Sequence, residues 1–115
     1  MRSGWLLRDG DVVCALEMAE TKEERSRGLR GRDGCEGALH LPGVRTVHTI
    51  GMRFSIDVAF LSEDLTVLRL KRVRPRRVVL HRRGERSVVE AQAGAWERWG
   101  VLVGDQLVVR DVEAT

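Results

Sequence analysis

The run SIDVAFL, Ser55–Leu61, narrows what this chain can fold into more than any other stretch. From Ile56 to Leu61 only Asp57 interrupts apolar residues. As a strand it shows Ile56, Val58 and Phe60 on one face, and Ala59 and Leu61 following Asp57 on the other. A strand that is apolar on both faces has to be covered on both. A carboxylate at its mouth is then partly desolvated and must find donors or a counter-charge. Arg53 and the N–H groups of the preceding loop are within reach along the chain. Asp57 therefore reads either as a carboxylate that pins that loop or as a general base or ligand carboxylate with a shifted pKa. If it is buried and charge-paired, deleting it should cost roughly 3–5 kcal/mol.

The rest of the chain fits a sheet built around that strand. Its 115 residues make a single domain, 1–115, large enough to bury a core without staples. Aromatic residues are scarce and valine comes in short runs, which favours strands over long helices. Asp9-Gly10 between two apolar runs marks a type I′ hairpin joining Gly4–Arg8 to Asp11–Met18. Thr21 and Glu24 form a capping box for a short helix that Gly28 or Gly31 can stop. The stretch from Gly34 to Phe54 reads as loop, with short apolar pieces. In TVLRLKRV, Leu68 and Leu70 are expected inward, Arg69 and Lys71 outward, with Pro75 ending the strand. RRVVLH and RSVVEAQ flank Arg83-Gly84-Glu85, a second hairpin candidate. Trp96 and Trp99 share one face of a helical turn, and a last strand turns Leu107 and Val109 inward. The expected fold is mostly β (α+β): a small curled or closed, barrel-like sheet with two short helices.

Charge is uneven. Arg69–Arg86 holds nine Lys/Arg against one acid, Glu85, while the remainder holds eleven against sixteen. Such a strip can attract nucleic acid or an acidic protein, or it can be a solvated pair of strands. No aromatic residue interleaves it to stack on bases, which favours the second. Cys14 and Cys35 are too few for a disulfide framework, and no segment has the length of a signal peptide or a membrane span. The expectation is a cytoplasmic protein with reduced thiols and no membrane partner.

His48, Thr49, Arg53, Asp57, Arg76 and Arg77 are the candidate site residues. His48 can act as an acid/base near neutral pH, and Arg suits planar contact with carboxylate or phosphate. If the loop before Asp57 lies beside Pro75-Arg76-Arg77, these groups frame an anion site around His48. No Cys, Asp or Glu stands at ligand spacing from His48, so no metal is expected. No nucleophile elbow, phosphate loop or paired-Cys motif is present, and no cofactor is expected.

Three stretches together carry a family resemblance. AETKEERSRGLRGR supplies Ala19, Thr21, Glu24, Arg25, Gly28, Leu29 and Arg32. VHTIGMRFSIDVAFL supplies Val47, His48, Thr49, Met52, Ile56, Asp57 and Phe60. After Pro75 and Arg77, the tail supplies Glu90, Ala93, Gly94, Gly100, Gly104 and Asp105. In order and spacing these resemble the small bacterial and archaeal proteins grouped as domain of unknown function 192. The chain departs from that pattern at Val44, where relatives with Val-His-Thr usually have Cys, at Arg30, and at Arg76. The resemblance implies a compact β-rich domain and no established activity. Residues and resemblance together point to a small binding or accessory domain with a polar pocket for a small anionic ligand. The alternatives are a hydrolytic or transfer enzyme using His48 and Asp57, and a basic-surfaced module acting through Arg69–Arg86.

Overall fold

The computed structural model describes residues 1–112. Nine strands and two short helices follow one another: β1 Arg2–Arg8, β2 Asp11–Met18, α1 Lys22–Arg27, β3 Ala38–Leu41, β4 Val47–His48, β5 Ile56–Leu61, β6 Val67–Val73, β7 Val78–Val79, β8 Ser87–Gln92, α2 Ala95–Arg98 and β9 Leu107–Asp111. Seven strands form one sheet in the order β6-β5-β8-β3-β2-β1-β9, and β4 pairs with β7 in a separate ribbon. Only the β2–β3 pairing in the large sheet is parallel.

The sheet is not closed. β6 and β9 are its edges, and they meet at one isolated bridge, Thr66 to Gln106. Around it the Val67 N–H donates to the Asp105 carbonyl and the Leu107 N–H to that of Leu65. The Gly104 N–H adds one bond to the Val67 carbonyl, but no strand ladder forms; of the curled or closed sheet expected, closure is not realised.

Alternation along β5 sorts the core. Ala59 and Leu61 join Leu6, Leu16, Val89, Ala91 and Trp96 on the α2 side. Ile56, Val58 and Phe60 join Leu29, Leu39, Leu41, Val47 and Val79 on the other, under α1 and the ribbon. β5 is buried at all six positions, which is the double covering its sequence demands.

Local signals carried through at the termini of elements. Asp9 and Gly10 both have positive φ, as a type I′ turn requires. Thr21 and Glu24 complete the capping box of α1, and Gly28 ends it. Trp96 and Trp99 meet edge to face with ring centroids 5.4 Å apart.

Two expectations fail, for one reason. RRVVLH and RSVVEAQ do not pair: β7 joins β4, while β8 lies between β5 and β3. Glu85, 3 % exposed, redirects the intervening turn by accepting the Arg82 N–H at 2.7 Å and both arms of the Arg69 guanidinium at 2.8 and 3.0 Å. Arg69, expected outward, lies 3.9 Å over the Phe60 ring, while Leu68 is the residue turned out. Glu85→Ala would leave the Arg69 guanidinium, 13 % exposed, without its carboxylate. It should lower unfolding free energy by about 3–5 kcal/mol in urea titration, and an unchanged midpoint would contradict this arrangement.

Candidate functional site

The sequence candidates fall into two groups separated by the sheet. Asp57, 6 % exposed, faces the α2 side. Its Oδ1 accepts from Arg72 Nε at 3.0 Å, the residue opposite it on β6, and its Oδ2 accepts from the Gly94 N–H at 2.8 Å. Gly94 stands at positive φ and opens α2. Asp57 thus ties β5, β6 and the start of α2 together, and its counter-charge is Arg72 rather than Arg53. Arg53 lies on the surface and pairs with the exposed Asp33.

His48 lies on the opposite side. It pairs with Val78 across the ribbon, where Val47 and Val79 point inward to the core. His48 and Asp57 share no hydrogen bond and border different clusters, so the acid/base pair expected of them is not assembled. Thr49 is fully buried and works on the chain that follows β6. Its hydroxyl donates to the Arg74 carbonyl at 2.6 Å and accepts from the Arg77 N–H at 2.9 Å. Its backbone N–H donates to the Arg77 carbonyl and its carbonyl accepts from Arg76. The Arg74–Arg77 loop is therefore held in one shape, with Arg76 at φ +65°, where a side chain other than Gly or Asn is uncommon. The side chains of Arg74, Arg76 and Arg77 are exposed.

Most of the basic strip has no carboxylate to neutralise it. Arg69 and Arg72 are used by Glu85 and Asp57. Lys71, Arg74, Arg76, Arg77, Arg82, Arg83 and Arg86 are exposed and form no ion pair among the described residues.

Sequence reasoning noted Glu90 as a motif residue but did not count it among the candidate site residues. It sits on β8, 5 % exposed, opposite Leu39 of β3 and Val58 of β5, and its Oε1 accepts the Leu29 N–H at 3.1 Å. A side chain on Gly28 would strike that oxygen, at 2.7 Å from its Cβ, which adds a contact reason for glycine at the end of α1. Burial pushes the Glu90 carboxyl up to about 7, against the Leu29 hydrogen bond and the charge of Arg30. The signal was present: SVVEA places an acid in a strand apolar on both faces, as SIDVA does. His40 is buried on the α2 side of β3, opposite Val89, and burial lowers it to about 4. Burial also pushes the Cys14 thiol up to about 12, as befits an inert packing residue. Among the described residues no three His, Cys, Asp or Glu stand together to hold a metal ion, and no helix is long and apolar enough to cross a membrane.

The three motif stretches noted in the sequence meet in this arrangement: Gly28 and Leu29 under α1, His48 and Thr49 on the ribbon, and Glu90 between them. Residues 5–109 match the family DUF192, described as Uncharacterized ACR. The chain belongs to that family. It is 31 % identical over 98 residues to a UPF0127 protein of Thermococcus sibiricus, covering 80 % of this chain and 64 % of that protein's length. Two solved structures share the DUF192 chain's fold. One, from Sinorhizobium meliloti, is described as a putative transcription regulator and superposes with a TM-score of 0.78 at 21 % identity, over 94 % of this chain and 92 % of the other. The second, of unknown function, from Novosphingobium aromaticivorans, gives 0.72 at 19 %, over 93 % and 83 %.

Two outcomes follow for the carboxylates. Asp57→Ala should cost about 1.5–3 kcal/mol through its lost charge-assisted bonds, less than a fully buried pair because Arg72 is 55 % exposed. Double-mutant cycles with Arg72→Ala measure the shared part. Glu90 has a raised native pKa, so its stabilising contribution is complete below the unfolded value of 4.5 and lost as pH rises through about 7. Between pH 4 and 8, Glu90→Gln should gain about 3 kcal/mol relative to wild type in urea unfolding. A constant difference across that range would refute the shift.

Proposed function

We propose that this chain is a binding domain that takes an anionic ligand on the Arg74–Arg77 loop, with Arg76 and Arg77 as direct contacts and His48 one residue from the anchoring Thr49. One observation carries the reading. Exposed arginines are normally mobile, but here the backbone that bears them is clamped by a buried threonine, with Arg76 in a conformation that costs energy to hold. Arginines on a preformed backbone lose less freedom on meeting a carboxylate or phosphate. The hydrolytic or transfer reading through His48 and Asp57 has no support from the geometry, since the sheet lies between them.

A second reading uses a larger part of the same surface. Lys71, Arg74, Arg82, Arg83 and Arg86 extend the cationic area without carboxylate partners, which would suit nucleic acid or an acidic protein. The description of the Sinorhizobium meliloti protein as a regulator is consistent with the nucleic-acid version.

Pyrophosphate and a short DNA duplex distinguish the two when titrated at two salt concentrations. Arg76→Gln with Arg77→Gln should weaken pyrophosphate binding by about tenfold or more, with the melting temperature of the free protein retained. If DNA binds instead, affinity should fall steeply with salt and each lost phosphate contact should reduce the slope by about 1. Wild-type affinity for pyrophosphate in the double variant would sink the loop reading.

A further inference from the structure

The β4–β7 ribbon stands apart from the large sheet and carries large apolar residues on its outer side. Val47 and Val79 pair and point into the core, so the residues alternating with them point outward. Val78, opposite His48, and Leu80, two residues on, share that outward side. Ile50 sits in the turn closed by the Met52 N–H donating to the Thr49 carbonyl. The same carbonyl accepts from the Arg76 N–H, which puts Ile50 at the Arg76 end of the ribbon. Ile50, Val78 and Leu80 are 58, 57 and 69 % exposed. Three such side chains on so short a segment form a patch, unlike the single apolar residues scattered over any protein surface.

The rim of the patch is cationic. Arg74, Arg76 and Arg77 flank its Ile50 end, and Arg82 and Arg83 follow Leu80 at the other. Thr46 Oγ1 lies 3.3 Å from His81 Nδ1, which brings Arg45 to the Leu80 end as well. All six arginines are exposed and form no ion pair among the described residues. Neither residues 42–55 nor residues 66–84 include an acid.

Projecting apolar side chains ringed by unpaired cations complement a surface that is negatively charged and yields to them. A bilayer with anionic headgroups has both properties: its boundary layer buries aliphatic groups, and its phosphates attract the arginines. Nucleic acid would use the cations but leave the aliphatic residues in water, and no aromatic residue stands among them to stack on bases. A folded acidic protein would have to supply a recess for each projecting side chain. We propose that the ribbon is a peripheral docking surface for anionic bilayers, with Ile50, Val78 and Leu80 entering the headgroup–acyl boundary and the flanking arginines meeting the headgroups. Such contact needs no spanning segment, and it departs from the expectation of no membrane partner. Arg76 and Arg77 also belong to the proposed loop site, but the apolar half of the docking surface does not rest on that reading.

Flotation of the full chain with vesicles tests the surface at low and at high salt. Vesicles of mixed phosphatidylserine and phosphatidylcholine should bind wild type, and phosphatidylcholine alone should not. Changing Arg82 or Arg83 to Gln should weaken binding about fivefold each at low salt, and less at high salt. Val78→Thr with Leu80→Gln should weaken it about tenfold or more at both salts, with pyrophosphate binding and melting temperature kept, since both side chains are exposed. If that double variant does not fold, Ile50→Thr in the turn reads the same apolar contribution as a several-fold loss. Wild type that ignores the mixed vesicles would overturn the proposal, as would binding unchanged by the apolar substitutions. Retention on a DNA duplex or on polyglutamate without vesicle binding would also overturn it, in favour of the basic-surface reading. Vesicle binding lost in Val78→Thr with Leu80→Gln, in a protein that ignores pyrophosphate, would support the docking surface and remove the loop reading. Pyrophosphate binding without vesicle binding would do the reverse.

Discussion

A sheet covered on both faces has no solvent to complete the bonds of the polar groups it admits. β5 and most of β8 are buried throughout, yet they or the turn before β8 carry Asp57, Glu85 and Glu90. Each of these acids is consequently bound to something outside its own strand. Asp57 accepts from Arg72 and the Gly94 N–H, Glu85 from Arg69 and the Arg82 N–H, and Glu90 from the Leu29 N–H. Through them the start of α2, the turn into β8 and the end of α1 are attached to the sheet. α1 buries none of its residues, whereas α2 sends Ala95 and Trp96 into the core. Polar bonds to the sheet therefore hold α1 in place, and they act together with Trp96 at α2.

The same constraint divides the basic strip. Arg69 and Arg72 are structural cations, paired at or near the sheet. The exposed Lys and Arg residues lie along an edge strand and the chain after it. Charges on an edge strand oppose pairing with another sheet, so the part of the strip on β6 guards that edge. The Arg74–Arg77 loop is different, because a buried hydroxyl holds its backbone and one of its residues occupies an uncommon φ. Fixed geometry at an exposed cationic loop is what separates a candidate binding surface from solvated charge.

The candidate site combines three regions far apart in the chain. The end of α1, the β4–β7 ribbon and β8 converge beneath α1, and Glu90 rather than Asp57 is the carboxylate on the histidine side. Its burial places its ionisation close to neutrality, while Asp57 is occupied by a cation and a backbone N–H. Two acids, each set in a strand apolar on both faces, thus have different surroundings because they point to opposite sides of one sheet.

The sequence by itself determined the local features. Asp9-Gly10 specified a hairpin, Thr21 with Glu24 a helix start, and the alternation of Ile56–Leu61 a doubly covered strand, since each depends on backbone sterics or neighbours within a few residues. It also marked His48, Arg53 and Asp57 as polar residues in an apolar stretch, of which Arg53 proved to be on the surface. Only the tertiary structure decided their partners. β3, four residues within an apparent loop, became a central strand through pairing with β2 and β8, and β8 left its expected hairpin for β5. Which face Asp57, His48 and Glu90 present to one another depends on that strand order. Strand order is set by long-range pairing and the burial of both faces together, and neither is encoded in a short window of residues.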